Sequence, residues 1–107
     1  MGIEMDNVLK ELRNRMANEL GDRLVKMVIF GSRARGDFDA ESDTDIAIIV
    51  RGLSRELKNQ ILDTVAEIEM KFINPLSVII FSESDFERLR KRERRIALDI
   101  EKEGIPL

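Results

Sequence analysis

The sequence predicts an α/β domain with a small mixed sheet of about three strands flanked by helices. Short, almost entirely apolar runs that end in turn residues are typical of buried strands, and they cover residues 24–30, 44–50 and 76–81. Between and beside these runs, apolar residues recur at spacings of three and four, which is typical of helices with one buried face. The nearly continuous apolarity of the first run suggests burial on both faces, hence helices on both sides of the sheet or a deep central position of that strand.

The first half of the chain predicts one helix and two strands. A helix with one apolar face is predicted over residues 5–20, and it should end at Gly21 because glycine commonly follows a helix. The first strand, Leu24–Phe30, is expected to be buried on both faces. A polar loop over residues 37–42 leads to the second strand, Thr44–Val50, and a turn at residues 51–52 follows it.

The second half predicts a helix, a strand and a final helix. Ser54 is predicted as the N-cap of a helix that carries an apolar stripe over residues 57–72. Pro75 ends this helix, because the residue before a proline avoids the α region. After the strand Leu76–Phe81, overlapping capping signals that start at Ser82 and Ser84 predict one last helix, which Gly104 ends.

Composition narrows the chemistry that this chain can perform. Its 107 residues fit a single domain over residues 1–107, and they include neither cysteine nor histidine. Zinc sites, disulfides and histidine bases are therefore excluded, and carboxylate chemistry remains. A net charge of −3 argues against a general nucleic-acid binder. No secretory signal or long apolar span is recognisable, so we expect a cytoplasmic protein without membrane association.

Two acids open the second strand. Side chains alternate along a strand, so Asp43 and Asp45 should share a face with Cα atoms about 6–7 Å apart. If their carboxylates converge to about 5 Å, they repel by about 3 kcal/mol at an effective dielectric constant near 20. A cation between them would remove this cost. Mg²⁺ suits such a pair, since it takes one or two protein carboxylates together with substrate phosphates.

A glycine-flanked turn with a hydroxyl and two arginines follows the first strand. Gly31 and Gly36 allow positive φ and a close approach of the backbone to a ligand, and backbone N–H groups in such turns bind phosphate. Ser32 adds a hydroxyl donor, and Arg33 and Arg35 add fork-shaped donors that fit phosphate. An anion-binding turn beside a cation-binding acid pair predicts a site for a metal-bound nucleotide.

The motif formed by Gly31-Ser32, ten residues and Asp43-Thr44-Asp45 resembles the signature of the nucleotidyltransferase superfamily that includes DNA polymerase beta. Residues 31–36 resemble the version in minimal nucleotidyltransferases, small prokaryotic proteins often paired with a HEPN-domain partner. The resemblance implies a nucleotidyltransferase fold in which Asp43 and Asp45 are catalytic and hold Mg²⁺. The residues it implies for ATP binding are Gly31, Ser32, Arg33, Arg35 and Gly36. It further implies that Arg33 or Arg35, with Arg35 favoured, neutralises charge on the leaving pyrophosphate.

The resemblance also implies an activity, transfer of AMP from ATP to a hydroxyl of a partner protein, and a role as antitoxin to a HEPN-domain toxin. The alternative is a catalytically weak or inactive antitoxin that neutralises its partner by binding alone. Transfer to a small molecule is disfavoured, because the chain has no room for a second substrate-binding domain. The acceptor would be held by a partner subunit or by a second copy, which leaves a homodimer open.

One part of the expected site is not found. Active members of the superfamily usually carry a third carboxylate on the next strand, but Leu76–Phe81 contains no acid, and Ser77 stands where one is expected. Loss of a general base typically slows a reaction 10²- to 10⁴-fold. Either two aspartates suffice in this protein, or it binds nucleotide without transferring it.

Six of the eight residues in Arg88–Arg95 are basic. Such a run is most often a solvated helix face. The alternative is a surface for RNA or for an acidic partner, and contact with RNA is not the expectation.

Overall fold

A computed structural model describes residues 3–31, 44–73 and 75–107, with side chains from residue 7 onward. The elements in these ranges are α1 (Ile3–Leu20), a short 3-10 helix (Gly21–Arg23), β1 (Leu24–Phe30), β2 (Thr44–Val50), α2 (Arg55–Phe72), β3 (Leu76–Ser82), α3 (Glu83–Lys91), α4 (Arg95–Glu103) and β4 (Ile105–Pro106). The predicted α/β fold with a mixed sheet flanked by helices is confirmed. None of the described helices is long and apolar enough to cross a membrane.

The strands form one mixed sheet in the order β3-β2-β1-β4. β2 pairs with β1 in antiparallel and with β3 in parallel orientation, so that Asp45 lies opposite Phe30 and beside Ser77. The end of β1 and the starts of β2 and β3 therefore meet at one end of the sheet, hereafter the Asp45 end. The opposite end, where β2 finishes, is the Val50 end.

Each face of the sheet carries its own apolar core. On one face, α1 and α2 pack on alternate residues of the strands, and this core includes Val8, Leu12, Met16, Ile46, Ile48, Ile61 and Ile68. On the other face, α3 and α4 pack on the remaining residues, and this core includes Val28, Phe30, Ala47, Ile49, Phe86, Ala97 and Ile100. By the alternation along β2, Asp45 projects to the α3–α4 face.

The final helix differs from the prediction, because it is two helices with a turn over residues 92–94. Glu93 adopts φ 53°, and the N–H groups of Glu93 and Arg94 donate to the carbonyls of Arg90 and Leu89. Like charges at i,i+4 destabilise a helix by a few tenths of a kcal/mol per pair, so the basic run favours this break. The turn lets α4 fold back and bury Ala97 and Ile100 against the sheet.

A fourth strand was not predicted. Ile105 and Pro106 pair with Ile29 and Val28 at the free edge of β1, and the Leu107 N–H donates to the Met27 carbonyl at 2.9 Å. Two residues are too few to show a strand pattern. Proline at this position fits an edge strand, where its missing N–H is not needed by another strand.

Of the two capping signals before α3, the structure uses the first. The Ser82 hydroxyl accepts a hydrogen bond from the Asp85 N–H at 3.1 Å, just as the predicted cap Ser54 accepts one from the Leu57 N–H at 3.1 Å.

We expect Ser82→Ala to lower the free energy of unfolding by about 1 kcal/mol. Ser84→Ala, the matched control, should change it by less than about 0.5 kcal/mol. Urea unfolding of both variants measures this difference, and equal losses would contradict the assignment of the cap.

Candidate active site

In the candidate site, the backbone at Gly31 lies against the carboxylate of Asp45. Gly31 follows β1 directly and has φ 77°, so the positive φ predicted for it is confirmed. A Cβ atom built on Gly31 would overlap Oδ2 of Asp45 and would lie 3.2 Å from its Cγ. Glycine at position 31 therefore leaves the space that the Asp45 carboxylate occupies.

Asp45 is half-buried, and its carboxylate makes no hydrogen bond or ion pair with the described part of the chain. Partly removing a charge from water without giving it a partner is unfavourable. A hard cation with oxygen ligands would supply that partner. The carboxylate oxygens of Asp45 thus fit the Mg²⁺ that the signature implies.

Ser77 is the side chain beside Asp45 on the neighbouring strand. The two residues are paired in the parallel β2–β3 register, and neighbouring strands lie about 4.8 Å apart, so both side chains project to the same face. A serine hydroxyl donates one hydrogen bond and accepts others, but it is no base near neutral pH. On β3, the strand position next to Asp45 thus carries a hydroxyl and not a carboxylate.

The remaining predicted site residues, Ser32, Arg33, Arg35, Gly36 and Asp43, lie outside the described residues. Their convergence with Gly31 and Asp45 stays a prediction. Within the ranges that are described, no three acidic side chains come together as a complete metal site. Asp43 comes two residues before Asp45 on the chain, and it is the residue from which a second ligand is expected.

A groove of about 570 Å³ lies between α1 and α2 and is separate from the Asp45 site. Its walls carry polar side chains such as Asn7 and Asn14, and the ion pair between Lys71 and Glu11 at 2.7 Å lies among them. Asp45 projects to the opposite face of the sheet. The groove is therefore not the place where Asp45 would act.

Comparisons with known proteins agree with this fold and signature. The sequence model of the family "Polymerase beta, Nucleotidyltransferase" matches residues 10–107. The Methanocaldococcus jannaschii protein named "Putative protein adenylyltransferase MJ0141" is 31% identical over 77% of this chain and 84% of its own length. A second protein of that organism, "Putative protein adenylyltransferase MJ0604", is 30% identical over 78% of this chain and 79% of its own.

The fold is also found in a solved structure. The crystal structure of a protein described as a putative nucleotidyltransferase from Sulfolobus solfataricus superposes with a TM-score of 0.55 at 24% identity. The match covers 94% of this chain and 76% of the other. By its signature, its fold and its match to the family over residues 10–107, the chain belongs to the polymerase beta nucleotidyltransferase family.

Proposed function

We propose that this protein transfers AMP from ATP to a hydroxyl group of a partner protein. The observation that carries the proposal is the contact between Gly31 and Asp45, in which the turn of the family signature and one of its acids meet. The names of the two Methanocaldococcus jannaschii relatives, both protein adenylyltransferases, support AMP as the transferred group and a protein as the acceptor.

In this proposal, Asp43 and Asp45 hold Mg²⁺, which when bound neutralises negative charge on the triphosphate and in the transition state. Gly31 leaves room for the ligand, and the Ser32 hydroxyl and the turn amides donate to phosphate oxygens. Most of the rate enhancement then comes from positioning and electrostatics, which require no histidine or cysteine.

The reaction itself is a substitution at phosphorus. The acceptor oxygen bonds to the α-phosphorus of ATP, the bond from that phosphorus to the β-phosphate oxygen breaks, and pyrophosphate leaves. Arg35, with Arg33 as the alternative, stabilises the charge that grows on pyrophosphate. The proton of the acceptor hydroxyl passes to water, since Ser77 beside Asp45 is not basic enough to take it.

We extend the proposal to the biological role, an antitoxin that acts on a HEPN-domain toxin in the cytoplasm. This step depends on the resemblance of residues 31–36 to minimal nucleotidyltransferases. A partner protein, or a second copy of this chain, supplies the surface on which the acceptor hydroxyl is held.

The experiment that tests the proposal uses ATP labelled on either the α- or the γ-phosphate, together with Mg²⁺ and a purified candidate HEPN-domain partner. The α-label should appear on the partner, whose mass should rise by one AMP, and chelation of Mg²⁺ should abolish the transfer. Label from the γ-position on the partner would indicate phosphorylation. That result, or label on no protein, would contradict AMP transfer.

The second candidate function is neutralisation of the partner by binding alone. It is favoured by one observation, the hydroxyl of Ser77 where a third carboxylate would lie beside Asp45. A site without its base can retain nucleotide and partner while the transfer step is slow.

A carboxylate at position 77 should separate the two candidates. We expect Ser77→Asp to raise the AMP-transfer rate about 10- to 100-fold, because a positioned general base contributes about 10²-fold or more. Without Mg²⁺ the variant should lose stability, since carboxylates about 5 Å apart repel by about 3 kcal/mol at an effective dielectric constant near 20. Mg²⁺ should restore its Tm.

Ser77→Asn is the matched control, with the size of aspartate but no basic oxygen pair. It should leave both the rate and the Mg²⁺ response of the Tm as in the parent protein. An equal rate increase in both variants, or none in Ser77→Asp, would contradict a role for position 77 in proton removal.

A further inference from the structure

Four exposed cations surround the turn between α3 and α4 and form no ion pair with the described part of the chain. They are hereafter named the basic corner and consist of Lys91, Arg92, Arg94 and Arg95. Exposed and unpaired, their charges attract an anion from solution.

The neighbouring arginines of α3 already pair with carboxylates of this chain. The Arg90 guanidinium lies 2.7 Å from a carboxylate oxygen of Glu87 and 3.5 Å from one of Glu101, and Arg88 lies 3.6 Å from Asp85. The hydrogen bond from Arg90 lowers the pKa of Glu87, which keeps that carboxylate ionised. Arginine–carboxylate pairing is thus already the chemistry of this face, and the basic corner extends it with four cations against one acid, Glu93.

The basic corner lies toward the Asp45 end of the sheet. α3 directly follows its N-cap Ser82, which pairs with Val50, and Glu83 at its start lines one cavity with Ile49 and with Glu101 of α4. The first turn of α3 is therefore at the Val50 end, and the turn that joins α3 to α4 is at the other end of α3.

The lengths of α3 and β2 support this placement of the basic corner. The nine residues of α3 extend about 13 Å at 1.5 Å per residue, and β2 extends about 16 Å from Val50 back to Asp45. Phe86 and Leu89 pack on the sheet, so α3 runs back over it and not away from it. The basic corner is consequently on the face and toward the end of the sheet where Asp45 projects.

The anion that fits the basic corner is an acidic protein segment and not RNA. Single-stranded RNA is usually held by exposed aromatic side chains, but the chain has no Trp or Tyr. On this face of the sheet, Phe86 is buried, and its ring contacts that of half-buried Phe81 at 5.6 Å between centroids. The net charge of −3 also disfavours an extended polyanion. A short acidic segment needs only the local cations.

We propose that the basic corner binds an acidic segment of the protein that accepts the nucleotide and so holds the acceptor hydroxyl near Asp45. The identity of the bound protein as acceptor rests on the proposed function. The binding of an acidic segment does not, because it requires no nucleotide and no transfer.

The test compares two triple variants that change the net charge equally. Arg92→Glu/Arg94→Glu/Arg95→Glu reverses the basic corner, and Lys10→Glu/Arg13→Glu/Lys58→Glu reverses three exposed cations of α1 and α2. The probes are a fluorescent oligoglutamate peptide and a fluorescent oligouridine, measured by anisotropy at low and at physiological salt. Circular dichroism melts establish that each variant is folded.

We expect the corner variant to bind oligoglutamate about tenfold more weakly, a factor that corresponds to about 1.4 kcal/mol, because three attractive charges become repulsive. The α1–α2 variant should change the affinity by less than about twofold, and added salt should weaken binding by the parent protein. Equal losses in both variants, tighter binding of oligouridine than of oligoglutamate, or no binding of the peptide would each overturn the proposal.

A second readout separates this proposal from the proposed function. In the AMP-transfer assay, the corner variant should raise the KM for the acceptor protein about tenfold and leave kcat and the Kd for ATP unchanged. An unchanged KM would show that the acceptor docks elsewhere, although AMP transfer itself stands. If no acceptor becomes labelled, AMP transfer fails, and the oligoglutamate comparison still decides whether the basic corner binds acidic segments.

Discussion

Asp45→Asn should lower the rate of AMP transfer by about 10³-fold and leave the protein folded. The substitution keeps the shape of the side chain against Gly31 but removes the charge that would bind Mg²⁺. A bound metal contributes several kcal/mol of transition-state stabilisation, and a loss of about 4 kcal/mol is about three decades in rate. Because the carboxylate has no partner in the described part of the chain, its neutralisation breaks no ion pair there.

Asp63→Asn is the matched control, an equal loss of charge at an exposed position of α2. Single-turnover transfer of the α-label measures both variants, and the rise in Tm on addition of Mg²⁺ gives a second readout that needs no acceptor. The rise should disappear in Asp45→Asn and persist in Asp63→Asn. Full transfer by Asp45→Asn would remove Asp45 from the active site. If the variant lost transfer but still silenced its partner, the binding-only function would be supported.

The elements that the sequence predicted correctly are those whose signal is local. Residues 46–50 are all apolar, and the strand Thr44–Val50 has the predicted bounds because both of its faces are covered. Ser54 caps α2 as predicted, since capping needs only the hydroxyl and the N–H of residue 57. The positive φ of Gly31 could likewise be predicted, because few other residues adopt it readily.

The features that were not predicted depend on contacts between distant parts of the chain. β4 exists because the edge of β1 accepts two residues from the end of α4, and no local pattern marks them. The sequence predicts one helical stretch through the basic run Arg88–Arg95, although like charges repel along it. Its position toward the Asp45 end follows only from the packing of α3 and α4 on the sheet.

The same distinction applies to the candidate site. Sequence spacing predicted that Gly31 and Asp45 serve one site, but their contact depends on the register in which Phe30 pairs with Asp45. The parallel register of β2 and β3 is also what brings Ser77 beside Asp45. A shift of one residue would turn Ser77 to the other face and place a different side chain there.

Gly31→Ala should lower both the stability of the protein and its AMP-transfer rate. An L-residue at φ 77° costs about 1–2 kcal/mol, which lowers the free energy of unfolding. In addition, the new Cβ would overlap Oδ2 of Asp45, so the carboxylate must move. A displacement of about 1 Å at a positioned catalytic group can lower the rate about 10²-fold. We therefore expect a loss of about 10²-fold in transfer at a temperature where the variant is fully folded.

Gly52→Ala separates these two effects. Gly52 has φ 66°, but a Cβ built there meets no atom within 4 Å. This control should lose the same 1–2 kcal/mol of stability in urea unfolding and keep its transfer rate within about twofold. If both variants transferred AMP equally well, the space beside Gly31 would have no part in placing Asp45. Only a loss of transfer confined to Gly31→Ala would link this glycine to the position of the carboxylate, because strain at positive φ is common to both sites.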